Sequence, residues 1–225
     1  MLALKQALSL VSTPLPKWSP LDETSLVAWY RKGSEITLVG SDVSKWADSS
    51  SNSHDMVQAD EDERPAYSAG ALTFVNADKT NLQTTSQISL SGDFTIGIRL
   101  YPTSFNNVVI ADNTTVNEFF KITTTSQIRV RMDSGSNQAN LDLDSGTFGD
   151  DYLILTRVSN VLTLWKNGVA QTGTTPTLSG TSDIDAIGVR RTDLNGYEGT
   201  IIEIQIYSSS SAALTANIND RLSTL

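Results

Sequence analysis

The strongest constraint on the fold of this chain is an alternation of apolar and polar side chains with a period of two residues. Ile128, Val130 and Met132, for example, are separated by two arginines. The same alternation recurs at residues 94–100, 141–144 and 202–206. A period of two places apolar side chains on one side of an extended strand and polar ones on the other. The pattern therefore predicts antiparallel sheets whose strands each have one buried and one solvent-facing side.

The clearest turn signal is the pair Asn167-Gly168, which lies between the apolar-rich segments 161–165 and 169–171. Asn-Gly favours a type I′ turn, because both of its central residues need a positive φ angle. This predicts a β-hairpin. Short strands separated by Ser, Asn, Asp and Gly turns predict a sandwich of two packed sheets.

The C-terminus has the clearest helical spacing in the chain. Leu214, Ile218, Leu222 and Leu225 recur at intervals of three or four residues, and serines occupy positions 208–211. Serine is a favoured helix N-cap. We predict a short helix over residues 212–225 that covers one edge or end of the sandwich and shields unpaired strand groups.

The composition excludes several classes of function. The 225 residues include no cysteine and one histidine, which excludes a disulfide framework, a thiolate zinc site and a cysteine nucleophile. The formal net charge of −9 argues against a nucleic-acid-binding face, which would have to be basic. No apolar segment approaches the ~20 residues that cross a bilayer. Neither nucleic acid nor a membrane is therefore an expected partner.

Residues 1–20 differ from the rest of the chain and are predicted to form an N-terminal arm. Pro14, Pro16 and Pro20 favour an extended path. Residues 21–225 then form one domain that includes the helix, since all-β sandwiches of about 200–250 residues are common.

The apolar side chains of the arm have two alternative partners, their own domain or a neighbouring subunit. In the second case the arm docks by removing apolar area from water. The candidate docking residues are Leu2, Leu4, Leu8, Val11, Leu15 and Trp18.

Several short motifs occur in an order that resembles a known family. They are residues 26–30 (LVAWY), 43–55 (VSKWADSSSNSHD), 65–67 (PAY), 71–74 (ALTF), 92–96 (GDFTI), 164–168 (LWKNG), 187–188 (IG) and 196–207 (GYEGTIIEIQIY). In this order they resemble the laminin-G-like, concanavalin A-like jelly-roll domains. Such domains are common in virion structural proteins of tailed bacteriophages, especially marine cyanophages. The resemblance covers residues 24–225.

The resemblance implies an all-β fold, a two-sheet antiparallel jelly-roll sandwich of concanavalin A type with an extended N-terminal arm and a short C-terminal helix. It implies a non-enzymatic virion structural protein, a capsid or tail decoration docked through its arm and assembled in the host cytoplasm. Its partners would be other virion proteins and further copies of itself in a homo-oligomer. Because the same fold serves lectins, the alternative is a carbohydrate-binding module for host attachment, with a surface glycan as partner.

The motifs also have a reading from their residues alone. Trp29, Tyr30 and Trp46 are predicted to be core or inter-sheet aromatics, because such rings bury large areas. The stretch from Asp48 to Asp55 is predicted to be a tight loop whose side chains accept bonds from nearby backbone N–H groups.

Two pairs of residues come nearest to the carboxylate pair that a glycoside hydrolase needs. In the pair Glu203 and Gln205, glutamine stands where a second acid is required. Asp142 and Asp144 do share one face of a strand, but no third acid or aromatic flank accompanies them. We interpret Asp142 and Asp144 as a solvated polar face and predict that the protein is not an enzyme.

Sugar binding without catalysis needs an exposed aromatic ring and a few polar groups. Aromatic residues at turns or on an outer sheet face are candidates. The candidate carbohydrate-binding residues are Trp165, Tyr101 and Tyr197, with Trp165 placed just before the Asn-Gly turn.

No cofactor is expected. Calcium is plausible in the family, bound by loop carboxylates and carbonyl oxygens. The candidate ligand groups are Asp112-Asn113, Asp133 with Asn137, and Asp193 with Asn195. None has EF-hand spacing, and Asp and Asn also favour turns for local reasons, so the sequence selects no metal site.

Overall fold

The structure is a computed structural model that describes residues 17–112, 117–189 and 195–225. The first strands are β1 (Leu26–Tyr30), β2 (Ile36–Val39), β3 (Asp42–Trp46), β4 (Met56–Val57), β5 (Ala66–Ser68), β6 (Ala71–Phe74), β7 (Leu82–Leu90), β8 (Phe94–Pro102) and β9 (Asn107–Asp112). The remaining strands are β10 (Asn117–Thr124), β11 (Gln127–Met132), β12 (Asn137–Asp142), β13 (Asp151–Val158), β14 (Val161–Lys166), β15 (Val169–Gln171), β16 (Ser182–Ile187) and β17 (Gly199–Tyr207). Helix α1 (Ala212–Leu222) follows, and 3-10 turns occupy Pro20–Asp22, Glu61–Glu63 and Asp133–Gly135.

The strand pairings arrange these elements in two antiparallel layers. Layer A has the order β1-β17-β8-β13-β14-β15, with β6 also pairing with the start of β17. Layer B has the order β4-β7-β16-β9-β10-β11-β12, extended beyond β4 by β3 and β2. Strand β5 pairs with both β3 and β6 and so links the layers along one edge. The predicted all-β sandwich is confirmed.

One apolar core fills the space between the layers. In layer A, Ile96 and Leu155 point inward, and in layer B, Ile128 and Val130 do so. Tyr30 and Trp46 belong to the same core, with ring centroids 5.6 Å apart. The prediction that these two rings are core aromatics is confirmed.

Helix α1 lies on the outer face of layer A. Its buried side chains Leu214, Ile218 and Leu222 pack against Tyr152 and Ile154 of β13 in a second apolar cluster. The prediction that the helix covers an edge or end of the sandwich is therefore wrong. The expectation that residues 94–100 keep a polar, solvent-facing side is wrong for the same reason, since α1 covers that side.

Gly97 explains why the helix can pack so closely. It lies on the outer face of β8 between Ile154 and Gln205 of the neighbouring strands. A Cβ atom at this position would lie 2.6 Å from Cγ2 of Ile218, well inside van der Waals contact. The missing side chain makes the groove into which α1 fits.

The outer face of layer B matches the predicted pattern. On β11 and β12 the apolar side chains point into the core, whereas Gln138 and Asn140 are exposed. Arg131 donates from Nε to Oε1 of Gln138 at 3.1 Å, and Arg129 donates from Nε to Oδ1 of Asn140 at 3.3 Å. This ladder of polar side chains is the solvent-facing side that alternation predicts.

The two local predictions at the hairpin and the C-terminus are confirmed. Asn167 and Gly168 have φ angles of 50° and 81°, as a type I′ turn requires. The hydroxyl of Ser211 caps the helix by accepting from the N–H of Leu214 at 3.1 Å. The helix ends at Leu222, three residues before the predicted end, although Leu225 still packs on the second cluster.

Candidate functional site

A cleft of about 240 Å³ lies between α1 and the β14–β15 hairpin, on the outer face of layer A. Its floor is Trp165 and Ile154, and Gly168 of the hairpin turn forms one end. The helix contributes the opposite wall, which consists of Ala212, Thr215, Ala216 and Asn219. The cleft is therefore mostly apolar with a few neutral polar groups, which is the usual character of a small-ligand site.

Strand alternation and the turn position the floor of the cleft. Leu162 and Leu164 point into the core, so Trp165 points to the outer face, where it lies opposite Ile154 of β13. Gly168 lets the hairpin turn approach the helix, because a Cβ there would lie 2.4 Å from Oδ1 of Asn219. The conformation of the turn, with positive φ, also suits glycine.

The indole N–H of Trp165 has no hydrogen-bond partner among the described residues, although its nitrogen is buried. The ring itself is partly buried and packs beside the second apolar cluster. The other three tryptophans do have partners. Trp18 donates to Glu23, and Trp29 and Trp46 donate to Glu203 and to the carbonyl of Arg31. An unpaired buried donor is costly, and this one belongs to a ring that lines the cleft.

Asn219 is one of two polar side chains in the helix wall, and both ends of its amide are hydrogen-bonded. Its Oδ1 accepts from the hydroxyl of Tyr152 at 2.9 Å, and its Nδ2 donates to Oδ1 of Asp220 at 3.3 Å. Burial is the main cause that raises the pKa of Tyr152, so its hydroxyl stays protonated at neutral pH. Both groups are therefore neutral.

Tyr197, a candidate sugar-stacking residue from the sequence, is fully buried. Its ring packs edge-on against Phe74 at 6.0 Å, and its hydroxyl donates to the carbonyl of Thr200 at 3.2 Å. Burial also raises the pKa of this hydroxyl. Tyr197 is therefore a core residue, and its assignment to a carbohydrate site is wrong.

Tyr101 is 45 % exposed on the outer face of layer A, as a stacking residue would be. However, it does not share a site with Trp165. The two are two strands apart and about four residues apart along the strands, which corresponds to roughly 16 Å at ordinary strand spacings. Of the three candidates, Trp165 lies in a cleft with polar groups around it, whereas Tyr197 belongs to the core.

The acid pair Asp142 and Asp144 serves local structure. Asp142 accepts from Nε2 of Gln127 at 2.7 Å. The carboxylate of Asp144 accepts from the backbone N–H groups of Thr172 and Gly173. These backbone bonds lower the pKa of Asp144. Because Asp144 follows β12 of layer B and its partners follow β15 of layer A, it links the outer edges of the two layers.

Glu203 is 0 % exposed and lies under α1, so the prediction that it lies on a solvated face is wrong. Its carboxylate accepts from Nε1 of Trp29 at 3.0 Å and from Nε2 of Gln205 at 2.7 Å. Nη2 of Arg221 on the helix donates to it at 2.8 Å. The Arg221 guanidinium also lies 4.6 Å from the centre of the Trp29 ring, which is a cation–π distance. We call these four residues the Glu203 network, and it fastens α1 to layer A.

The loop between Asp48 and Asp55 is also structural, as predicted. Asp48 accepts from the backbone N–H groups of Trp29 at 2.9 Å and Ser50 at 2.8 Å. Asp55 accepts from the N–H of Asp48 at 2.9 Å and pairs with Lys45 at 2.5 Å. Burial would raise the pKa of Asp55, but the Lys45 ammonium and the N–H of Asp48 outweigh it and lower the pKa.

The calcium candidates are only partly described, since Asn113 and Asp193 lie outside the described residues. Asp133 accepts from Nδ2 of Asn137 at 2.7 Å and from the N–H of Thr181 at 2.8 Å. These N–H donors occupy the oxygens that a cation would need. Within the described parts of the chain, no group of three or more histidine or acidic side chains is placed to hold a metal ion.

Five of the six candidate docking residues lie outside the described residues, namely Leu2, Leu4, Leu8, Val11 and Leu15. Trp18 is described, and it packs beside α1 on the second apolar cluster. The described end of the arm, residues 17–20, is therefore attached to its own domain.

Sequence reasoning found Trp165 but missed the helix wall of the cleft. Ala212 and Ala216 are exposed small residues one turn apart on α1, and they leave room beside the tryptophan ring. Gly97 was the available signal, because a glycine within a strand marks a close approach by another element.

Comparison with known proteins supports the fold and goes no further. No family model matches the sequence, and no curated protein matches it. Domain 4 of AbnA, a GH43 extracellular arabinanase from Geobacillus stearothermophilus solved with arabinotriose, is similar with a TM-score of 0.56 and 14% identity. That match covers 87% of this chain and 97% of the domain. The Trypanosoma rangeli sialidase, in complex with the inhibitor DANA, is similar with a TM-score of 0.53 and 12% identity. That match covers 90% of this chain but only 33% of the sialidase chain.

Proposed function

We propose that this protein is a non-catalytic carbohydrate-binding module that holds a sugar ring in the Trp165 cleft. The observation that carries the proposal is an indole ring beside a 240 Å³ cleft with an unpartnered, buried N–H. Sugar rings present C–H groups on their faces and oxygen atoms at their edges. An aromatic face with a nearby hydrogen-bond donor matches both features.

A fold that is known to accommodate glycans adds support. The arabinanase domain was solved with arabinotriose, and it matches this chain along nearly its whole length. At 14% identity the likeness concerns the fold, and function depends on the site. The site argument therefore has to come from Trp165 and its neighbours.

The absence of catalysis is part of the proposal. Hydrolysis needs two carboxylates about 5 Å apart or wider, facing a groove. Glu203 is sealed beneath α1 by its hydrogen bonds, and Asp144 is occupied by backbone N–H groups. Neither lines the Trp165 cleft, and the described residues of its lining include no carboxylate.

Calorimetric titration with sugars selected on a glycan array tests the proposal. We expect saturable binding by the native chain and a loss of at least about tenfold in affinity for Trp165→Ala, because stacking and the N–H bond are both removed. Val161→Ala is the matched control, since Val161 is exposed on the same strand but does not line the cleft. Equal affinities of native and Trp165→Ala proteins would contradict the assignment of the site.

The virion role that the family resemblance implies stays a prediction, and glycan binding is compatible with it. A module that decorates a virion and binds a host glycan would place this protein in the assembled particle. The test is removal of residues 1–16, which leaves the attached residues Lys17 and Trp18 in place. Loss of particle incorporation with unchanged sugar binding would support docking through the arm, and full incorporation would refute it.

A further inference from the structure

We infer that the Trp165 cleft selects a neutral sugar ring and discriminates against sugars that carry a carboxylate or sulfate. This inference rests on the proposed glycan-binding function and specifies its ligand class. It depends on the charges in and around the cleft rather than on its shape.

None of the seven described residues that line the cleft is ionisable. A buried or half-buried anion is bound most strongly by a charged donor such as the bidentate guanidinium of arginine. Without one, an anionic substituent would lose its hydration and gain only neutral contacts in return. The cleft therefore penalises an anionic ligand compared with its neutral counterpart.

Two cations on the elements that border the cleft are already paired. Lys166, which follows Trp165, has its Nζ 2.9 Å from Oδ1 of Asp151. Arg221 on α1 is paired with Glu203. To serve an anionic sugar, either cation would have to leave a carboxylate behind, and for Glu203 that carboxylate is fully buried.

Arg99 lies on the same outer face, and its Nη2 is 2.7 Å from Oδ1 of Asp150, although its buried Nε has no partner among the described residues. The chain as a whole carries a formal net charge of −9. Long-range electrostatics therefore add a weak repulsion of anions to the local effect.

The groups that do face the cleft suit hydroxyl-bearing ligands. Trp165 lines it with a partly buried ring whose N–H has no partner among the described residues, and Asn219 offers a neutral amide. Thr215 is engaged within the helix, since its hydroxyl donates to the carbonyl of Ser211 at 3.0 Å. A cleft of about 240 Å³ is smaller than a drug-sized site of roughly 300–1,000 Å³, which fits one ring rather than a long chain.

The test compares matched sugars that differ only at one carbon. Methyl glucoside and methyl galactoside are each titrated beside the methyl glycoside of the corresponding uronic acid, whose carboxylate is free, at pH 7 and 0.15 M NaCl, and a glycan array extends the comparison to neutral and sialylated termini. We expect the uronates and the sialylated glycans to bind at least about tenfold more weakly than their neutral partners. Equal or tighter binding of the anionic sugars would overturn the inference while leaving glycan binding intact. Binding to no sugar at all would overturn both.

A variant with a positive charge added to the cleft makes the test sharper. Ala216 is exposed in the helix wall, so Ala216→Arg introduces a cation into the cleft with little risk to folding. We expect the preference for neutral sugars to fall by at least about fivefold in this variant. Val161→Arg adds the same charge outside the cleft and should leave the preference unchanged. If both variants change the preference equally, net charge rather than the cleft sets specificity, and the inference fails.

Discussion

The outer faces of the two layers have similar sequence patterns but different environments. On layer B, Gln138 and Asn140 of an alternating strand are exposed and form a ladder with two arginines. On layer A, Glu203 and Gln205 of an alternating strand are fully buried under α1. Alternation therefore tells which side of a strand a polar residue occupies. It does not tell whether that side meets water.

The largest expected difference between the two faces concerns their charges. Glu203→Gln removes the charge that pairs with Arg221, and we expect a loss of about 3 kcal/mol in the free energy of unfolding, because a lone partner of a broken buried pair is costly. Urea denaturation measures it. A double-mutant cycle with Arg221→Met should then recover a coupling energy of at least about 1 kcal/mol. A loss below about 1 kcal/mol for Glu203→Gln would show that the network is not a buried one.

The next effect concerns the groove in layer A. Gly97→Ala places a methyl group 2.6 Å from Cγ2 of Ile218, and such overpacking costs about 1–3 kcal/mol. Thermal or urea unfolding is the measurement. Gly92 provides the control, since a Cβ there meets nothing within 4 Å, and Gly92→Ala should change stability by less than about 0.5 kcal/mol. Equal losses in the two variants would mean that the helix does not depend on the glycine.

The polar ladder of layer B should respond much less. Gln138→Ala removes an exposed partner of Arg131, and we expect a change of less than about 0.5 kcal/mol in the free energy of unfolding, as for surface substitutions generally. Urea denaturation under the conditions used for Glu203→Gln gives the direct comparison. A loss above about 1.5 kcal/mol would indicate that this face is covered as well.

The smallest effect is a pH dependence at the edge where the layers meet. Backbone N–H groups lower the folded-state pKa of Asp144 below its usual range. Its stabilisation is therefore present above the unfolded pKa of about 3.9 and is lost as the pH falls through the folded pKa. The stability difference between native protein and Asp144→Asn should disappear at low pH. A difference that is constant from pH 6 to pH 2 would contradict this.

The sequence predicted the parts of the fold that depend on local order. Alternation identified the inward residues of β11 and β12, and Asn167-Gly168 identified the hairpin. The spacing of Leu214, Ile218 and Leu222 identified the helix. These signals are local, because strand faces, turns and helix faces follow from a few neighbouring residues.

The placement of α1 depends on contacts between distant parts of the chain and could not be read locally. In β17, a register shift between Ile201 and Glu203 places Ile201 rather than Ile202 in the core, and bulges have weak sequence signals.

Arg157 is a second residue whose position the local sequence pattern does not predict. Alternation predicts an apolar side chain at this core-facing position of β13. Arg157 is nevertheless buried there and donates to the carbonyls of Gly92 and Gly180.

The sequence predicted the tryptophan of the candidate site but not the helix wall beside it. Trp165 was chosen from its position before a turn, but the same reasoning also chose Tyr197, which is buried. Aromatic residues in β-sheets have similar sequence surroundings whether they face the core or solvent. The helix wall, with Ala216 and Asn219, needed the structure because it comes from a segment about 50 residues further along the chain.

The unpartnered indole of Trp165 gives the protein an optical reporter at the cleft. The emission of tryptophan depends on polarity and hydrogen bonding around the indole, and the other three indoles already have bonded N–H groups. A ligand that accepts the free bond would therefore change the fluorescence of one tryptophan in four. Occupancy of the cleft can thus be followed in the native chain without a dye.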